Sequence, residues 1–343
     1  MSSCKKIICQ PVSSAAEFII GEKVMSKIKI ATTLYSLTSE YVTERRTLEE
    51  CLAELHKMGY KGIEFIPAQM APEYPYLSDE WIGWFKDLLG KYELEPVCWS
   101  AYIDMGIRSD RDLTREEIMQ YTINDMIYAK KAGFPLVRTQ HAISPEILRE
   151  MIPWCEKLGV KLAIEMHHPH NPFVPVWKKY IEMMYTEGKG WLGVVPDFSI
   201  FQVAPHKLYT DVMLQAGCRR EKIDEIMKLV DKGEKPEAAN ALDLNEVEKD
   251  CVEDLFEGYT HCSVDVLDQL IPISPYIHGK FYYLEDGEHD DCIPFEKILP
   301  RIKALGYEGY IAAEYEGHHF NVDIDAWQQL ERFSSIFHKY IDD

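Results

Sequence analysis

The 343-residue chain has no CxxC pair, no long apolar run and no excess of basic side chains. Each absence excludes a class of protein. Its 37 Lys and Arg face 57 Asp and Glu, a formal net charge of −20 with an isoelectric point near 5.0. A nucleic-acid backbone or an anionic membrane surface would be repelled by that balance, so neither is an expected partner. Without a stretch of about 18 apolar residues, no transmembrane helix is predicted. Nine cysteines, an odd and scattered set, suit reduced thiols in the cytoplasm better than a disulfide framework or a zinc ribbon. Lys5 and Lys6 precede IICQPVSSAAEFII, but Gln10, Pro11, Ser13, Ser14 and Glu17 break that run, which argues against a signal peptide. Met25 directly precedes SKIKIATTLYSLT, the natural opening of a first strand, so residues 1–26 read as an N-terminal extension. No GxGxxG follows that strand, which counts against a dinucleotide-binding doubly wound sheet.

What the chain does contain is a recurring unit: amphipathic helix, glycine, short apolar strand. LEECLAELHKM ends at Gly59 and leads to YKGIEFIP; DMIYAKKAG leads to FPLVRTQH; EILREMIPWCEKLG leads to VKLAIEMHH; FEKILPRIKALG leads to YEGYIAAEYEG. Glycine tolerates the left-handed conformation that closes a helix, and short apolar strands after such helices are the mark of parallel βαβ units. The pattern predicts eight strands, near 28–34, 61–67, 95–102, 135–141, 161–167, 192–197, 275–282 and 309–315. Eight βα units make an α/β fold of the (β/α)8 TIM-barrel type over residues 27–343. A charged helical insertion at about 203–270 interrupts it between strands six and seven, and reads as a solvated decoration or as a lid or partner-docking element.

In such a barrel the carboxyl ends of the strands carry the chemistry. Glu165 ends the fifth strand, Asp197 the sixth and Glu314 the eighth, while His278 lies in the seventh. Three carboxylates and one imidazole form a hard, mostly oxygen donor set suited to Mn²⁺ or Mg²⁺. By the period of two, His167 shares the inward face of Glu165, and Lys280 that of His278. His141 ends the fourth strand and reads as an acid–base group or a structural histidine. Arg138 is a barrel-interior ion partner or a substrate clamp, and Glu316, His318 and His319 follow in the loop after Glu314.

The Glu–Asp–His–Glu order on strands five to eight, and the ending GYEGYIAAEYEG, resemble the xylose-isomerase-like TIM barrels, the sugar isomerase and epimerase superfamily. The resemblance implies one divalent cation, usually manganese, on Glu165, Asp197, His278 and Glu314. It also implies proton transfer next to a ketone through an enediolate. Many sugar epimerases place a histidine three residues after the strand-six Asp, where this chain has Ile200. The long insertion, the DFSIF turn and the TQH strand end are similar to the catalytic alpha subunits of bacterial C-glycoside deglycosidases. That family releases the aglycone of 3-oxo-C-glycosides, flavonoid types among them, and pairs with a small β-rich second subunit. The resemblance therefore implies a lyase in a hetero-oligomer, with His141, Glu165 and Glu314 catalytic and His167, Lys280, Arg138 and His319 on the substrate. A ketose or inosose isomerase, epimerase or dehydratase is the alternative. An apurinic endonuclease is disfavoured by the acidic charge, and a sugar-binding scaffold by the complete donor set.

Overall fold

Helix boundaries follow their capping chemistry. Thr47 and Glu50 form a reciprocal capping box at the start of Leu48–Lys57, and Thr114 and Glu117 repeat it before Arg115–Ala132. Gly133, at φ 91°, closes the latter in the left-handed region. The segment expected to form one helix over 146–159 folds instead as two, Pro145–Glu150 and Ile152–Leu158. Pro153 has no amide hydrogen to continue the first helix, and its ring crowds the preceding turn.

The computed structural model describes residues 27–140, 143–259 and 262–342. The predicted extension 1–26 lies outside them. Eight parallel strands follow in chain order: β1 (Lys29–Thr33), β2 (Gly62–Phe65), β3 (Glu95–Ser100), β4 (Leu136–Thr139), β5 (Lys161–Met166), β6 (Leu192–Pro196), β7 (Ile277–Phe281) and β8 (Tyr310–Tyr315). Each pairs with its neighbour in sequence from β1 to β6, β7 pairs with β8, and β8 returns to β1. At the remaining seam, Asp197 bridges to His278 in parallel register. The result is the expected α/β TIM barrel, nearly closed, with helices outside.

Between strands and helices lies the main apolar core, in which Phe65, Phe85, Trp99 and Phe134 pack ring against ring. Inside the barrel sits a smaller cluster of Ala31, Val97, Cys98, Leu136, Ala163, Val195, Tyr276 and Ala312. Helices Lys207–Ala216, Arg220–Asp231 and Glu246–Gly258 follow β6 and bury their own stripe of Met213, Ile223, Ile226 and Leu255. Farther on, Leu267 and Leu270 already belong to the main core. No described helix is long and apolar enough to cross a membrane.

Candidate metal centre and substrate pocket

Alternation along each strand brings the chemistry inward. On β5, Ala163 and Glu165 share the inner face; on β8, Ala312 and Glu314 do the same. Strand register sets Lys280 beside Glu314, and the seam bridge sets Asp197 beside His278. Asp197 follows the last residue of β6, and its Oδ1 accepts the Ser199 amide at 2.6 Å, capping the 3₁₀ turn Phe198–Phe201. That bond leaves Oδ2 turned into the barrel.

One ligand atom from each of Glu165, Asp197, His278 and Glu314 falls within 4.8 Å of the others, and all four residues are buried. His278 Nδ1 lies 2.7 Å from Glu165 Oε1, 2.9 Å from Glu314 Oε2 and 3.9 Å from Asp197 Oδ2. A single ring proton cannot satisfy three carboxyls. Asp197 Oδ2 and Glu314 Oε2 are buried with no directed hydrogen bond, a costly state for an oxygen shut away from water. Charge points the same way. Among the described residues, five carboxyl groups, those of Glu64, Glu165, Asp197, Glu314 and Glu316, converge on three cationic side chains, Arg138, Lys280 and His278. Burial opposes the charge of the His278 imidazole, but Glu314, Glu64 and Glu165 push its pKa well up. Orphaned inward oxygens and surplus negative charge are what a hard divalent cation would satisfy, so this donor set fits one.

The surrounding groups are tuned by their neighbours. Burial would raise the Glu165 carboxyl, but Arg138 and His278 outweigh it and hold it well below the usual range. Burial pushes Asp197 well up, helped by Glu314 and opposed by Lys280. Glu314 itself is drawn down by His278 and Lys280 against the effect of burial. Lys280 stays an ammonium although burial opposes its charge, because Glu314, Glu316 and Asp197 surround it. The His318 imidazole is lowered to about 4, mainly by burial, and is neutral.

Arg138 spends Nε and Nη2 on Glu64 and Nη1 on Glu165 at 2.8 Å, the interior ion partner of the two readings, and it also borders the pocket. Lys280 and His167 line the same pocket. His319 stands back from it, its Nε2 2.7 Å from the Tyr35 hydroxyl, which does face the pocket. His141 lies outside the described residues. Ile200 is buried where many epimerases carry their histidine.

Several residues of the site escaped the sequence reading. Glu64 on β2, fully buried, receives both Arg138 and His278. Its one sequence signal, a carboxylate on the same face as Gly62 in an otherwise apolar strand, is too weak to separate it from ordinary alternation. Gln140 reaches Glu165 at 3.4 Å. The pocket above the donors, about 570 Å³, is also walled by Tyr35, Tyr102 and Tyr282. The helical insertion touches this wall at both ends. His206 stacks on Tyr282 with ring centres 4.1 Å apart, and Tyr259 lies against His168. It is more than a solvated decoration.

A family model described as "Xylose isomerase-like TIM barrel" matches residues 52–333, which is most of the chain. The chain belongs to this family. Among curated relatives of this xylose isomerase-like chain, one from Microbacterium sp. named "3'-dehydrocarminate deglycosidase alpha subunit" is 27% identical over 88% of this chain and 92% of its own length. Another, from Arthrobacter globiformis, named "C-glycoside deglycosidase alpha subunit", is 28% identical over 86% of each chain. Among solved structures, the IOLI protein with a bound zinc atom superposes with a TM-score of 0.57 at 15% identity, covering 91% of this chain and 99% of its own. D-psicose 3-epimerase, determined in the presence of D-fructose, also gives 0.57, at 10% identity, covering 92% of this chain and all of its own. At these identities the structural likeness carries the fold alone.

Proposed function

We propose that this protein is the catalytic alpha subunit of a divalent-metal-dependent carbon–carbon lyase that releases the aglycone from a 3-oxo-C-glycoside. The observation that carries the reading is the buried Glu165–Asp197–His278–Glu314 donor set beneath a 570 Å³ pocket, in a chain whose full-length relatives are named deglycosidase alpha subunits. Those four residues would hold the cation, Mn²⁺ in the first instance, or Mg²⁺. Bound there, it would stabilise the negative charge that develops on the oxygen of a ketone losing a neighbouring proton.

The chain's own residues supply the rest. A 3-oxo group acidifies the C2 proton of the sugar. Loss of that proton to a carboxylate or imidazole gives an enolate, whose collapse forms the C1–C2 double bond and breaks the C1–aglycone bond. The electron pair leaves with the aglycone carbon, which then takes up a proton. Glu165 and Glu314 stand at the reacting face as carboxylates, and Lys280, beside Glu314 on the neighbouring strand, offers ammonium hydrogens to the sugar oxygens. His141 is assigned the proton exchange with the aglycone on the sequence alone, since an imidazole with a pKa near 6.5 can exchange protons with a phenol at neutral pH. His167 and His319 order the substrate, His319 through Tyr35, and Arg138 at the pocket border does so by holding Glu165 in place.

The alpha-subunit names of the relatives support a second subunit and so a hetero-oligomer, and we assign that partner a small β-rich fold on the family resemblance. Tyr76, Tyr102, Ile107, Phe173 and Val322 are exposed apolar side chains in the loops after β2, β3, β5 and β8, around the barrel mouth. That rim is the seat proposed for the partner. The chain is assigned to the cytoplasm, and its domain division to a 1–26 extension and a 27–343 barrel carrying the 203–270 insertion.

The test is incubation with a 3-oxo-C-glycoside and, separately, a panel of free ketoses and inososes, with EDTA and with added Mn²⁺. Release of free aglycone that stops with EDTA and returns with Mn²⁺ is expected. Turnover of ketoses with no aglycone release would replace the proposal by the isomerase or epimerase alternative.

A further inference from the structure

We propose that Glu64 is a positioning residue of the metal centre, fixing the tautomer and ring orientation of His278. The inference rests on the metal reading above. Glu64 does not line the substrate pocket and is completely buried, so its work is done on its protein neighbours. Its two oxygens are divided. Oε1 accepts Arg138 Nε and Nη2 at 3.1 and 3.0 Å, while Oε2 stands 2.6 Å from His278 Nε2.

That second contact decides which ring nitrogen is left to coordinate. Against the effect of burial, the carboxylates around His278 favour its charged form before a cation binds. Coordination requires the neutral ring, which has one proton, on Nδ1 or on Nε2. At Nδ1 the proton would point at Glu165 and Glu314, 2.7 and 2.9 Å away, and would block the lone pair aimed at the other three donors. At Nε2 it is donated to Glu64 and the Nδ1 lone pair is bare. Without Glu64, the two carboxyls at Nδ1 would draw the proton to the wrong side. A carboxylate behind a coordinating histidine is the common way to set the tautomer and raise the ligand's basicity.

The plainer alternative makes Glu64 only the counter-ion of Arg138. Arg138, however, already pairs with Glu165 through Nη1 at 2.8 Å, and a counter-ion role requires nothing of Oε2. Arg138 is better described as the residue that holds both carboxylates, Glu64 behind the histidine and Glu165 in front of it.

The experiment measures Mn²⁺ affinity calorimetrically on the chelator-stripped full chain, with melting temperature recorded on the same samples. ¹⁵N-histidine spectra of the same chelator-stripped protein, recorded at alkaline pH where the ring is neutral, report the His278 tautomer before coordination fixes it. Wild type is expected to take up one Mn²⁺ per chain and to show His278 protonated at Nε2. Glu64→Gln keeps an acceptor but loses the charge, and should bind Mn²⁺ about 10–100-fold more weakly. Glu64→Asp keeps the charge for Arg138 but withdraws it from His278, so it should also lose affinity and populate both tautomers. Should the Gln variant fail to fold, the Asp variant carries the test. Folded variants with wild-type affinity and an unchanged tautomer would overturn the role of Glu64. Failure of wild type to take up Mn²⁺ would instead overturn the metal reading itself, and the two failures are distinguishable.

Discussion

The lower and upper halves of the barrel interior are built from the same strands and obey opposite rules. In the lower half, Leu136, Ala163, Val195, Tyr276 and Ala312 fill the space with apolar atoms. Two residues further along each segment, on the same inner face, stand Arg138, Glu165, Asp197, His278 and Glu314. One step of the strand period separates hydrocarbon from a knot of charge. Burying ions is expensive, and a well-packed apolar layer of the same shape would be as stable or more so. The lower layer therefore serves stability, and the upper one, kept at a cost in stability, is the layer proposed to bind and react. This division is the usual one for such barrels, whose strand ends carry function while the opposite end carries the fold.

The largest expected effect lies in the upper layer. Glu314→Gln removes one donor charge and leaves Lys280 with a weaker partner. The variant should lose stoichiometric Mn²⁺ and fall in turnover of the 3-oxo-C-glycoside by at least about 10²–10⁴-fold. Metal analysis and steady-state rates on the same preparation check it. Retained metal with full rate would end the assignment of Glu314 to the centre.

How much of this contrast was readable beforehand depends on range. The eight strands were legible because apolar runs and helix-closing glycines are local signals, and the observed strands are trimmed versions of those expected. Glu165, Asp197, His278 and Glu314 were legible because each sits at or near a strand end and the barrel brings such ends together. Glu64 was not, since a lone carboxylate in a four-residue strand looks like ordinary alternation, and its partners are 74 and 214 residues away. The break near Met151 was missed because the apolar spacing runs through Pro153, and spacing alone does not register a missing amide hydrogen. The insertion's grip on the pocket through His206 and Tyr259 left no sequence signal, because ring stacking between distant segments has no period.

A buried carboxyl away from the lumen sharpens the comparison. Asp125 lies on helix Arg115–Ala132 behind β3, with no cation among its neighbours. Burial raises it to about 7, although hydrogen bonds from Trp99 Nε1 at 3.0 Å and the Tyr74 hydroxyl at 3.2 Å pull the other way. The folded protein thus holds this proton more tightly than the unfolded chain, where an Asp titrates near 3.9. Stability associated with Asp125 is present at low pH and is lost as pH climbs through the interval from about 4 to about 7. By pH 8 the loss amounts to up to about 4 kcal/mol. Asp125→Asn keeps an acceptor for Trp99 and does not titrate. Denaturant unfolding of both proteins from pH 4 to pH 8 should show the variant's advantage widening with pH, while metal content stays constant. An advantage independent of pH would mean that Asp125 is ionised throughout.

The smallest expected effect tests whether the two halves of the lumen are separable. Ala312 is fully buried in the lower cluster, two residues before Glu314 on the same inner face. Ala312→Leu adds three carbon atoms where Ala163, Val195 and Tyr276 already close the space, and overpacking of this kind costs about 1–3 kcal/mol. The melting temperature should fall by a few degrees. If the layers act independently, the folded protein keeps wild-type Mn²⁺ affinity, because the added side chain is directed at apolar neighbours and not at the donor atoms. If the expanded layer instead pushes β8 outward, Glu314 moves with it and affinity drops alongside stability. Affinity measured well below the melting transition separates these outcomes. A parallel loss would show that the apolar layer sets the spacing of the metal ligands as well as supporting the fold.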